Sequence, residues 1–155
     1  MFPMTLNLSG KPFNRRDRLV FDPARRKSVR SGPEEEVRQA MIAFLTTELK
    51  VPVGLISVEK MIEGSAQPLR ADIVVYDRRG NPWMIIECKA REVRINQTTF
   101  DQISRYNRYL GAAYLLVSNG CDHYCCHQDS ASGSLSFVST VPRFPVPGKE
   151  CEEEG

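Results

Sequence analysis

Val37, Met41, Phe44, Leu45 and Leu49 recur mostly at steps of three and four residues, which is the spacing of one face of an α-helix. Ser31 with Glu34 fits a capping box and Pro33 suits a first turn, so the helix is expected to open there and to end by Pro52. The pattern then changes to short apolar, β-branched runs. Residues 55–62, 70–76 and 83–88 read as strands, with turn chemistry from Asp77 to Pro82 between the last two. Thr98 with Asp101 resembles a second capping box and predicts a helix running to about residue 110. Residues 113–118 form a buried-looking run closed by Asn119-Gly120, and shorter runs follow at 124–128 and 135–138. Helix, three strands, helix, then further strands is the order of a layered α/β domain with a mixed sheet.

Three segments are expected: a basic arm over 1–30 with a short strand near Leu19-Val20-Phe21, a domain over 31–140, and a proline-rich, acidic tail over 141–155. The chain has 155 residues, enough for one core, and 41% apolar with 26% charged residues is ordinary globular composition. No apolar run reaches the roughly 18 residues that would span a bilayer, and the N-terminus lacks the pattern of a signal peptide. A soluble, cytoplasmic protein with no membrane partner is expected. The odd number of cysteines, five, has no framework spacing and points to reduced thiols.

Charge distribution is more informative than the net +2. Between Lys11 and Arg30 eight Lys or Arg face only Asp17 and Asp22, a local excess of +6, whereas one Lys and four Glu give the stretch 149–155 a net of −3. The arm either lies on a phosphate backbone or is a solvated segment; both readings stand.

Candidate chemistry sits in the hairpin over 70–89. If its turn centres between Arg79 and Gly80, residue i lies opposite residue 159 − i, and Asp72 falls opposite Glu87. Opposed residues of an antiparallel pair have Cβ atoms roughly 4.5–5.5 Å apart. Lys89, two beyond Glu87, points to the same face. Two carboxylates about 4 Å apart repel by about 4 kcal/mol at an effective dielectric near 20. A proton, a cationic neighbour or a divalent ion must offset that. Oxygen ligands suit Mg²⁺ or Mn²⁺, and the Cys88 carbonyl is a further candidate ligand. On most strand faces such charges are a solvated salt bridge of little worth. Here Ile73-Val74-Val75 and Met84-Ile85-Ile86 flank them, the continuous apolar runs of strands covered on both faces.

The runs Arg70-Ala71-Asp72-Ile73-Val74-Val75-Tyr76-Asp77 and Ile85-Ile86-Glu87-Cys88-Lys89-Ala90 resemble the signature of the PD-(D/E)XK nuclease superfamily. They are most similar to the N-terminal nuclease domain of type I restriction enzyme R (motor) subunits. Pro33-Glu34-Glu35-Glu36-Val37-Arg38-Gln39 resembles that family's first helix, and Phe100-Asp101-Gln102-Ile103-Ser104-Arg105-Tyr106-Asn107 its Q-x-x-x-Y helix. Ser118-Asn119-Gly120 followed by Tyr124 resembles its next strand and turn, so that the likeness covers roughly residues 20–128.

The resemblance implies a restriction-endonuclease-like fold and divalent-metal-dependent cleavage of DNA. It implies Asp72 and Glu87 as metal ligands and Lys89 as the catalytic lysine. Gln102 and Tyr106, four apart and on one helical face, would support the site or contact phosphate. Glu34 is preferred to Glu35 as an accessory metal group, because it falls within about 20° of Met41 and Leu45 on the helical wheel. Glu34, Glu35 and Glu36 also simply favour a helix N-terminus, and Glu59 is a further possible site neighbour. Ala71 replaces the proline of the signature. The chain carries no G-x-x-x-x-G-K-[ST] loop, so the expectation is a stand-alone nuclease domain, with DNA and a separate motor or specificity subunit as partners. A non-cleaving nucleic-acid-binding or interaction module of the same fold is the alternative.

Cys121, His123, Cys125 and His127 alternate along the chain. On one strand, ligands two apart are separated by roughly 6.6 Å of rise, too far for all four to meet one zinc ion.

Overall fold

The strongest apolar runs become the middle of a sheet. The computed structural model describes residues 4–6, 8 and 19–146. A two-stranded hairpin, β1 (Leu19–Asp22) and β2 (Lys27–Arg30), precedes helix α1 (Pro33–Thr47). A single 3₁₀ turn (Val53–Leu55) leads into β3 (Ile56–Ile62), β4 (Leu69–Tyr76) and β5 (Pro82–Cys88). Helix α2 (Gln97–Leu110) then crosses to β6 (Tyr114–Ser118), followed by β7 (His123–Gln128) and β8 (Leu135–Val138).

These last six strands form one sheet in sequence order. Neighbours are antiparallel except β5 and β6, which are parallel and joined through α2. Ile73, Val75, Met84, Ile86 and Leu116 pack with Val37, Met41 and Leu45 of α1. Val74, Ile85, Leu115 and Val117 pack with Phe100, Ile103 and Tyr106 of α2. Covering both faces explains why β4 and β5 read as continuous apolar runs instead of alternating ones. Burying each such isoleucine contributes about 1.5–3 kcal/mol. The expected restriction-endonuclease-like architecture, a mixed sheet flanked by helices, matches this arrangement.

Several local expectations need correcting. Ser31 does not cap α1; Gly32 does, with no side-chain hydrogen bond, and Pro33 sits in the first turn where its missing N–H is harmless. Helix α2 is capped by Asn96, whose side chain accepts from the Thr99 amide, and not by Thr98. It ends on Gly111 at φ 69°, the left-handed conformation glycine tolerates. The 19–30 part of the basic arm is an ordered hairpin with Asp22 fully buried, while residues 9–18, with Lys11 and three of the arginines, lie outside the described residues. Packing also runs past 140: Phe144 is buried edge-on against Trp83, ring centroids 5.3 Å apart. The acidic stretch 149–155 lies outside the described residues.

The β4–β5 turn closes on Asp77, whose amide donates to the Asn81 carbonyl, half a residue short of the expected centre. Tyr76 pairs with Pro82 but Val75 pairs with Met84, so Trp83 is left over as a bulge. That single extra residue restores the expected register, with Ile73 opposite Ile86.

Candidate active site

Asp72 stands where pairing fails on both sides. Toward β5 the ladder stops at Ile73–Ile86, one step short of bringing Asp72 opposite Glu87. Toward β3, Val58 pairs with Ile73 and Lys60 with Ala71, skipping Glu59 and Asp72. Glu59 has φ 53°, a left-handed conformation in mid-strand that costs a non-glycine residue about 1–3 kcal/mol. Side chains take over the missing backbone bonds. The Cys88 amide donates to Asp72 Oδ2 at 2.8 Å, and Arg38 Nη2 of α1 donates to Asp72 Oδ1 at 3.2 Å.

Glu87 is almost wholly buried. Burial, then the Asp72 charge and to a smaller degree Glu34, push its carboxyl up to about 8, although Lys89 opposes this. Its Oε1 faces Lys89 Nζ at 3.5 Å, whereas Oε2 is buried and, among the described residues, makes no hydrogen bond. The Cys88 thiol, enclosed in the same place, is pushed well above its usual range by burial and by Asp72.

From the α2 side, Lys89 Nζ donates to Gln102 Oε1 at 3.4 Å, and Gln102 Nε2 donates to Tyr106 Oη at 2.7 Å. Burial, with Glu87 adding to it, raises the Tyr106 hydroxyl above its usual value despite the Gln102 bond. Asp72, Glu87, Lys89, Gln102 and Tyr106 are thereby linked at one end of the sheet. Glu34 is exposed and, among the described residues, makes no hydrogen bond or ion pair, but its charge is felt at Glu87 and Cys88. Glu35 is occupied by Arg25, Arg38 and Gln39.

Sequence reasoning missed the second half of this cluster. Arg38 is buried on α1, pairs with Glu35 and Asp72, and has Glu59 at 3.9 Å. Burial alone would lower its guanidinium, yet Asp72 and Glu35 hold it above the usual value. Arg25, in the β1–β2 turn, pairs with Asp22 at 2.6 Å, with Glu59 at 3.4 Å and with Glu35. The available signal was Arg38 itself, four residues after Glu34 and on the face otherwise carried by Met41 and Leu45.

The oxygen set can be tested against a divalent ion. Among the described residues no three His, Cys, Asp or Glu side chains converge on one point. Mg²⁺ needs only one or two carboxylates, the rest of its shell being water and phosphate oxygen. A buried carboxylate oxygen with no hydrogen-bond partner among the described residues, beside a second carboxylate, fits that demand, with the Cys88 carbonyl as the further candidate ligand. The Cys/His run is different. His123 is buried with Nδ1 2.7 Å from Ser118 Oγ, His127 packs on Tyr114, and Cys125 and Cys126 enter opposite core layers.

A family model described as the type I restriction enzyme R protein N terminus matches residues 33–142. Among solved structures, a fragment reported as an HsdR subunit of a type I restriction enzyme from Vibrio vulnificus is 22% identical, with a TM-score of 0.42. The match covers 57% of this chain and 19% of that one. No curated protein sequence matches.

Proposed function

The chain belongs to the family of type I restriction enzyme R protein N-terminal regions, and from that premise we propose that it hydrolyses DNA phosphodiester bonds with a divalent metal ion. The observation that carries this reading is Glu87 Oε2, a buried carboxylate oxygen with no hydrogen-bond partner among the described residues, beside Asp72 and Lys89. Burying such a group is costly unless it works.

Asp72 and Glu87 would hold Mg²⁺ or Mn²⁺ together with the Cys88 carbonyl, Glu34 adding charge from outside. Bound there, the ion supplies a more acidic water and offsets charge on the phosphate. Lys89 keeps its ammonium between Glu87 and Gln102, where it orients the attacking water or meets charge growing on a phosphoryl oxygen. Gln102 aims Lys89, and Tyr106 anchors Gln102. The substrate would be DNA, met in company with motor and specificity subunits of a restriction system.

The test is incubation of supercoiled and linear DNA with the protein and Mg²⁺ or Mn²⁺. Cleavage by the wild type that disappears in Asp72→Ala and Lys89→Ala supports the proposal. Salt-sensitive DNA binding without cleavage would replace it with a non-cleaving module of the same fold.

A further inference from the structure

Arg38 holds two positions at once. One guanidinium nitrogen, Nη2, sits on Asp72 Oδ1 at 3.2 Å. The other, Nη1, sits on Glu35 and is 3.9 Å from Glu59. Its Nε is buried and has no hydrogen-bond partner among the described residues. The guanidinium is therefore anchored on the Glu35–Glu59 side, while its hold on the proposed metal ligand is a single contact. Arg25 ties the anchor in place through Asp22, Glu35 and Glu59.

A guanidinium and a dication cannot share one carboxylate oxygen in a half-buried site without strong repulsion. We propose that Arg38 is an exchangeable counter-cation of the site. It pairs with Asp72 when no divalent ion is present, yields that oxygen to the ion, and stays seated on Glu35 and Glu59. This rests on the metal-site reading above and adds to it a competitor built into the chain. The consequence is specific: Arg38 stabilises the metal-free site and weakens metal binding. A residue that merely braced Asp72 would do the opposite, since its loss would loosen the ligand.

The experiment is Mn²⁺ titration of the full chain, followed by the electron paramagnetic resonance signal of free Mn²⁺. The wild type is compared with Arg38→Met, which removes the charge, and Arg38→Lys, which keeps it. Arg38→Met is expected to bind Mn²⁺ at least about tenfold more tightly, and Arg38→Lys to change the affinity by less than about threefold. Unchanged or weaker binding by a folded Arg38→Met protein overturns the inference and leaves the metal site standing. No Mn²⁺ binding by the wild type overturns both.

A second measurement does not depend on how the variants fold. In ¹⁵N-arginine side-chain spectra of the wild type, the Arg38 signal is expected to shift as Mg²⁺ is added, and not to shift in Asp72→Asn. An Arg38 signal that stays still while Mg²⁺ binds contradicts the exchange.

Discussion

One residue separates two different regimes of the same strands. At Ile73, Ile85, Ile86 and Leu115 every side chain is buried, and the ladder between the strands is regular. At Asp72, Glu59 and Glu87 the β4–β5 ladder ends, the β3–β4 ladder skips a pair, a glutamate turns left-handed, and a carboxylate oxygen lies buried with no hydrogen-bond partner among the described residues. The first region has a structural account that needs only transfer from water and pairing of backbone groups. The second is unfavourable in every local respect and is held by charge pairs reaching in from α1 and from the β1–β2 turn. Stability resides in the centre of the sheet, and strain and charge are stored at its end, where the divalent-ion site is proposed.

That contrast can be broken by substitution. Asp72→Asn is expected to lower DNA cleavage by about 100–1,000-fold or more, with a thermal midpoint close to wild type. A midpoint that collapses along with activity would place Asp72 among the structural residues. Ile86→Ala, in the regular region, is expected to do the reverse: roughly 2–5 kcal/mol of lost stability in denaturant titration, with activity retained wherever the protein is folded. Retained stability in that variant contradicts the assignment.

Glu87 gives a pH test. Its carboxyl is held up at about 8 in the folded chain, against 4.5 when unperturbed. The folded state therefore binds the proton more tightly. The stabilisation is complete below the unperturbed value and is lost as pH rises through about 8. In chelator, thermal midpoints of wild type should fall between pH 5 and pH 9 relative to Glu87→Gln, which cannot ionise. Parallel profiles for the two proteins would rule out this origin. The smallest effect is expected at Tyr106→Phe, which removes the acceptor of the Gln102 bond. A few-fold loss of cleavage with a stability change within about 1 kcal/mol is expected, and an unchanged rate would disconnect Tyr106 from Lys89.

The fold was legible wherever one physical rule dominated. Val37, Met41 and Leu45 follow the helical period, and the runs around Ile73 and Ile85 follow from burial on both faces, so α1 and the central strands appear near their expected places. The β4–β5 turn over residues 77–82 and the register of the two strands were legible, although the turn's centre was not. The turn closes half a residue early, and the Trp83 bulge, which no turn residue announces, corrects the offset. Asp72, Glu87 and Lys89 could be brought together because they lie on adjacent strands of one hairpin.

Arg38, Arg25 and Asp22 could not be found in this way. Their partners lie 34 residues away for Arg38–Asp72 and for Arg25–Glu59, a separation that no periodicity encodes. Of the β1–β2 hairpin, the strand near Leu19-Val20-Phe21 was legible, but β2 and its pairing were not, for a related reason. Its strands are four residues long, both ends of β2 are charged, and a buried Asp22 bound to Arg25 and Gln39 holds it instead of an apolar face. Glu59 gave no warning of its left-handed backbone, which arises from the gap opposite Asp72 and not from any local preference of glutamate.

The central claim is that one divalent ion belongs at the end of β4 and β5. Crystals grown or soaked with Mn²⁺ and measured for anomalous scattering test it most directly. The account predicts a peak shared by the Asp72 and Glu87 carboxylates and the Cys88 carbonyl, absent from Asp72→Asn crystals. A wild-type map with no peak there, or with Mn²⁺ bound only elsewhere, would contradict it.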